Sequence, residues 1–327
     1  MDILSELLLS QPYILLDGAM GTVLFEMGLE SGDPPEEWNL LYPDRIRAVH
    51  RDYIAAGAQL ILTNSFGGSA FRLKMHRLDG QVFEINRAAA QIARSAADAT
   101  EGRVIVGGSM GPTGELLLPL GTMTTEQARA AFAEQARGLA AGGADLLWIE
   151  TMSDLDEVRA AVDGVRSVTD LPIVATMTFD TNGHTMMGVS PIAAVKALSE
   201  LDLVALGGNC GNGPAEVENV IRTMRANNSR LVYVAKSNAG LPQWIDNRLT
   251  YDGTPAVMAD YAVTVQSLGA RLIGACCGST PDHVRAMAAA LAERATPIDQ
   301  LVTGSSADPD PSPARKRGQV RQRRRPR

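Results

Sequence analysis

Cysteine is scarce in this chain: 327 residues contain three, and an odd number with two of them adjacent makes a poor disulfide framework. Thiols used so sparingly suit a reducing compartment in which they bind metal or react, so a cytoplasmic setting is expected. Long apolar runs are absent too. No stretch approaches the ~20 apolar residues of a membrane span, and Met1-Asp-Ile-Leu-Ser-Glu6 has no basic region ahead of an apolar one. Neither a membrane partner nor a secretory leader is expected. Nor does the body of the chain have surplus positive charge. The formal net charge is -7, although residues 315–327 alone carry eight basic side chains and no acid. An acidic body with a basic tail excludes a nucleic-acid-binding domain of the usual kind, and the tail reads as a solvated run with at most weak affinity for an acidic partner or RNA.

What is present is alternation. Eight short apolar segments read as buried parallel strands, each followed by a longer helical pattern: Tyr13–Leu16, Gln59–Leu62, Arg103–Val106, Asp145–Ile149, Pro172–Met177, Leu203–Leu206, Arg230–Ala235 and Arg271–Ala275. Eight is the number that closes a (β/α)8 TIM barrel, an α/β fold that runs to ~250 residues and more as one domain. Gly57-Ala58, Gly143-Ala144 and Gly269-Ala270 each end a helical run and open a strand, as left-handed helix ends do. Helix starts are signalled by Thr124-Thr-Glu-Gln127, Ser153-Asp-Leu-Asp156 and Ser190-Pro191. The expected organisation is a barrel over residues 1–300 and a disordered Pro/Arg-rich tail over 301–327, the composition changing from about Ser305.

Barrel enzymes keep their chemistry at the C-terminal tips of the strands. The tips here offer Asp17-Gly18, Thr63-Asn64, Gly107-Gly-Ser109, Glu150-Thr151, Thr178, Asn209-Cys210, Lys236-Ser237 and Cys276-Cys277. All three cysteines therefore fall at the ends of two strands, beside glycines, and read as one metal site. Zinc takes thiolates in a tetrahedron, and three ligands leave a position open. His283, in the first turn of the helix that starts at Thr280-Pro281, is a weaker candidate for the fourth position, and its blander role is to cover the helix end. A substrate thiol entering the open position would be deprotonated at neutral pH, which predicts alkyl transfer to a thiol. Asp17 and Glu150 are placed to accept an ammonium group, and the backbone N–H groups of Gly18 and Ala19 to receive a carboxylate. A thiol amino acid fits these parts.

Leu16-Asp-Gly-Ala-Met-Gly-Thr22, Thr63-Asn-Ser-Phe66, Gly207-Gly-Asn-Cys210 and Gly274-Ala-Cys-Cys-Gly-Ser-Thr-Pro281 together resemble the homocysteine S-methyltransferases, in that family's order and over almost all of residues 13–290. The resemblance implies a zinc-bearing barrel with Cys210, Cys276 and Cys277 as ligands. It also implies Asp17, Gly18 and Glu150 around homocysteine, and methionine as product; Ala19 and Asn209 are further candidate substrate contacts. Betaine-homocysteine methyltransferases surround their donor's quaternary ammonium with aromatic rings. Trp38 and Phe66 stand at suitable positions, while Gly67 falls where those enzymes carry a tyrosine. The long loop around Asp33-Pro-Pro-Glu-Glu-Trp-Asn39 would serve as a lid or donor-facing wall. Ser237-Asn-Ala-Gly-Leu-Pro242 resembles instead the homocysteine module of cobalamin-dependent methionine synthases. Betaine or a similar small onium compound is the expected donor. The alternative is a methyl-corrinoid on a separate protein, and the remote one a non-catalytic zinc-binding module. A homo-oligomer is compatible with either enzyme reading. Lys236 reads as an ion-pair residue, with a Schiff-base nucleophile as the sharper alternative. The glycines of 207–213 lack the spacing of a dinucleotide loop.

Overall fold

Glycines at three helix-to-strand joints set the rhythm of the chain. Gly57, Gly143 and Gly269 have φ of 109°, 94° and 97°, a region that suits glycine, and each hands a helix over to a strand. In the computed structural model, which describes residues 3–245 and 248–294, the strands are β1 (Ile14–Leu15), β2 (Leu60–Leu62), β3 (Ile105–Met110), β4 (Leu146–Met152), β5 (Ile173–Met177), β6 (Ala205–Cys210), β7 (Tyr233–Ser237), β8 (Pro242–Ile245), β9 (Arg248–Tyr251) and β10 (Ala270–Ala275). Eight of them form one parallel sheet in the order β1-β10-β7-β6-β5-β4-β3-β2. A parallel bridge between Leu16 and Leu60 joins its two ends, so the sheet is the closed wall of a (β/α)8 barrel. The antiparallel β8–β9 hairpin is an insertion between β7 and its helix that the sequence did not announce.

Each of the eight expected segments overlaps a strand of the barrel. β3, β4, β6 and β7 run past their expected ends, through Gly107-Gly108, Glu150–Met152, Gly207–Cys210 and Lys236-Ser237. The glycines in β3 and β6 are there for closeness: a Cβ at Gly207 would sit 2.0 Å from the Val234 carbonyl oxygen, and one at Gly107 2.7 Å from Leu62. A glycine that reads as a turn in sequence is here a packing requirement.

Two apolar layers hold the barrel. Ile14, Leu16, Leu60, Trp148, Val174 and Leu272 fill its interior, and the helix Ile3–Ser10 plugs the N-terminal end with Leu4 and Leu8. The outer faces of the strands pack against the surrounding helices. Each fully buried aliphatic side chain contributes about 1.5–3 kcal/mol relative to exposure. The Thr124–Gln127 capping box forms as expected, with reciprocal contacts of 2.9 and 3.2 Å. One cap is displaced by a residue, Asp154 instead of Ser153, because the Asp154 carboxylate accepts the Asp156 N–H at 2.9 Å. Among the described residues no helix is long and apolar enough to cross a membrane. Residues 301–327, expected to form a disordered tail, lie outside the described residues.

Candidate functional site

β6 and β10 carry the cysteines to one point. The Sγ atoms of Cys210, Cys276 and Cys277 all lie within 4.8 Å of one another, with Cys210 and Cys276 at 3.0 Å. All three are free thiols. Thiolates bound to one zinc ion at about 2.3 Å stand about 3.8 Å apart in a tetrahedron, so the cluster fits a single ion with a sub-ångström adjustment. Cys210 has φ 57°, a left-handed conformation rare for a residue with a side chain and characteristic of functional turns. Asn238, just after β7, ties the two cysteine loops together: the Cys277 N–H donates to its Oδ1 at 3.1 Å, and its Nδ2 donates to the Gly211 carbonyl at 2.7 Å. His283 faces elsewhere. Its Nδ1 accepts the Thr280 N–H at 3.1 Å and its Nε2 donates to the Gly253 carbonyl at 2.8 Å. It closes the helix cap, the blander of its two roles.

The thiols form the floor of a cavity of about 590 Å³ at the C-terminal mouth of the barrel. Asp17, Gly18, Ala19, Glu150, Phe66 and Lys236 all line it. Asp17 Oδ2 accepts the Leu62 N–H at 2.7 Å, and its Oδ1 lies 3.5 Å from Lys236 Nζ. Burial pushes the Asp17 carboxyl up to about 6, with the Lys236 charge pulling the other way. Glu150 accepts a hydrogen bond from Ser109 Oγ at 2.5 Å, and burial raises its pKa as well. For Lys236 burial favours the neutral amine, but Asp17, Cys276, Glu150 and Cys210 outweigh it and hold the ammonium above its ordinary range. Paired with Asp17 at 3.5 Å, Lys236 takes the ion-pair role rather than that of a Schiff-base nucleophile.

Other expected roles change with the geometry. The Ala19 N–H donates to Ser279 Oγ at 3.0 Å, so this donor of the expected carboxylate cradle is already engaged. Gly18 is required by space: a Cβ there would lie 2.5 Å from Ser279 Oγ and 2.8 Å from the Tyr53 ring. Asn209 is 1% exposed and committed to its neighbours, accepting from Thr151 N and Thr176 Oγ1 at 2.8 and 2.7 Å and donating to Thr151 Oγ1 at 2.6 Å. It positions the β4 tip. Trp38 is buried and does not line the cavity: its ring packs edge-on against Tyr42 at 5.0 Å, with the Arg45 guanidinium 5.0 Å above it.

The segment carrying Trp38 is a wall, not a free lid. Asn39 Nδ2 donates to the Asn64 carbonyl and Asn64 Nδ2 to the Pro35 carbonyl, each at 2.7 Å. Glu36, buried and on the cavity surface, accepts the Gly67 N–H at 2.6 Å. A Cβ at Gly67 would come within 2.9 Å of Glu36 Oε1, so the carboxylate takes the space beside Phe66 where a larger side chain would go. The sequence reading missed Glu36, and it also missed Tyr251, which lines the cavity from β9 and packs over Gly278. The Glu-Glu pair beside Trp38 was a visible signal for the first. Tyr251 had none, since the hairpin that delivers it was unforeseen.

Fold and site together define a (β/α)8 barrel whose catalytic mouth holds a three-thiol cluster beside two buried carboxylates and a buried ammonium. The homocysteine S-methyltransferase family model matches residues 14–291, and the chain belongs to that family. The methionine synthase of Mycobacterium leprae (strain TN) is 34% identical over 299 residues, covering 87% of this chain and 25% of that protein. That of Mycobacterium tuberculosis (strain ATCC 25618 / H37Rv) is 34% identical over 308 residues, covering 90% and 26%. The chain thus spans about a quarter of the length of these relatives. Among solved structures, the homocysteine methyltransferase MmuM from Escherichia coli in its oxidized form superposes with a TM-score of 0.75 at 28% identity, covering 86% of this chain and 97% of that one. Its metallated form gives 0.74, covering 87% and 98%.

Proposed function

We propose that the chain transfers a methyl group from a small onium donor of the betaine type to the thiol of homocysteine, forming methionine, with zinc held by Cys210, Cys276 and Cys277. The carrying observation is the convergence of three thiols from β6 and β10 on the floor of a cavity that Asp17 and Glu150 line. A metallated form of the Escherichia coli relative supports the metal assignment. When bound, zinc supplies Lewis acidity that lowers the pKa of an entering thiol. The chain's own residues do the rest. Glu150, held by Ser109, accepts the substrate ammonium. Asn209 fixes the β4 tip that presents Glu150, and Asn238 fixes the two cysteine loops. In the transfer the homocysteine sulfur forms a bond to the methyl carbon as the bond from that carbon to the onium nitrogen breaks. The electron pair leaves with the tertiary amine.

The cavity lining supports a cationic donor, because it includes the Phe66 ring and the Glu36 carboxylate that accepts the N–H of the next residue, Gly67. An aromatic face and a carboxylate both attract an onium group, which needs no hydrogen bond from its host. A second reading has its own observation. The 34% identical relatives are methionine synthases about four times as long, which supports a methyl-corrinoid on a separate protein as donor. Purified full-length protein given homocysteine and betaine alone separates the two. Methionine formation selects the onium donor. Its absence, with turnover restored by a methyl-corrinoid protein, selects the other, and absence under both conditions leaves a non-catalytic module.

A further inference from the structure

Three basic side chains line the cavity, Arg72, His76 and Lys236, and of these only Lys236 is buried, at 4% exposure. Its ammonium carries three donors. Its one ion pair among the described residues is with Asp17 Oδ1, at 3.5 Å, and that oxygen makes no hydrogen bond. A buried cation engaged so loosely is costly unless a further acceptor completes its shell. The space beside it is the cavity itself, where Glu150 presents a carboxylate occupied only by Ser109. A fixed cation on β7 and a fixed anion on β4, both lining the cavity, match a small zwitterion, and the Ala19 N–H is already engaged by Ser279.

We infer that Lys236 receives the α-carboxylate of the acceptor while Glu150 receives its ammonium, so that the site selects amino-acid thiols over thiols lacking a carboxylate. This rests on the reading of homocysteine as acceptor. Lys236 is a substrate-binding residue that bridges Asp17 and the incoming carboxylate, and it takes no part in bond making. If it only offset the charge of Asp17, its loss would harm every thiol substrate alike.

The test compares homocysteine with 3-aminopropane-1-thiol, the same chain without the carboxylate, using metal-loaded full-length protein. Wild type is expected to favour homocysteine in kcat/KM by on the order of 10- to 100-fold, the scale of a charge-assisted hydrogen bond. In Lys236→Met that preference collapses to within a few-fold, mainly through the KM for homocysteine, at unchanged zinc content. The double variant Asp17→Asn with Lys236→Met removes the ion pair without leaving a lone buried charge, and it shows the same collapse if the single variant folds poorly. Equal losses for both thiols in either variant overturn the inference and leave the acceptor reading intact. A wild-type protein that neither binds nor methylates homocysteine overturns both.

Discussion

Asn209 and Thr151 are joined twice, by Thr151 N–H to Asn209 Oδ1 at 2.8 Å and by Asn209 Nδ2 to Thr151 Oγ1 at 2.6 Å. The pairing holds Thr151 at φ 61°, a conformation that costs of order 1–3 kcal/mol and persists only when its surroundings enforce it. Asn209→Ala removes both contacts and the one from Thr176. Thermal unfolding should show a loss on the order of 1–3 kcal/mol for each orphaned group. The kcat/KM for homocysteine should fall further than that of the donor, because Glu150 is the residue displaced. An unchanged KM for homocysteine would show that Asn209 does not position Glu150.

Cys276→Ser takes one sulfur out of a cluster whose members lie within 4.8 Å of one another. Purified wild type should carry about one zinc per chain, and the variant well below that, with methyl transfer lost in parallel. Acidification should release the metal as well, since protons compete for thiolates. Elemental analysis across a pH series reads both effects.

Phe66→Ala strips an aromatic ring from the cavity lining while leaving the thiols untouched. A cation–π contact is worth about 0.5–2 kcal/mol, so the KM for an onium donor should rise about 2- to 30-fold. The KM for homocysteine should stay within a factor of two or so. Steady-state kinetics with each substrate varied in turn distinguishes this from a general loss of packing.

His50 lies on the helix Pro43–Ala55, is fully buried, and neither ring nitrogen has a partner. Burial pushes its pKa down to about 4, against about 6.5 in an unfolded chain. Between those values the unfolded state binds the extra proton. The neutral folded form is therefore favoured fully above pH 6.5, and the advantage is lost as pH falls from there toward 4. The loss is about 3 kcal/mol at most. In His50→Leu that contribution disappears, so the stability gap between variant and wild type should move in the variant's favour from pH 7 to pH 5 in urea titrations. A constant gap would contradict it.

Much of the barrel was legible because a buried parallel strand must be a short apolar run and a helix end that turns back favours glycine, and both marks survive in the sequence. The thiols were legible for a similar reason: cysteine is rare here and occurs at strand ends alone. What the sequence hid was direction. Trp38 has the composition of a donor wall, yet its ring is spent on Tyr42 and Arg45. Asn209 reads as a substrate contact, yet every polar atom of its side chain is used to splint β4 and β5. Lys236 reads as a nucleophile in sequence, whereas in the fold it is paired with the carboxylate of Asp17. These roles depend on partners distant in the chain, which periodicity and spacing do not encode.

The most direct test of the central claim is methionine formation by the purified full-length protein, with homocysteine as acceptor and betaine as sole donor, measured before and after zinc is stripped and again after it is restored. Turnover that disappears with the metal and returns with it is the predicted result. Undiminished turnover by zinc-free protein would contradict the account.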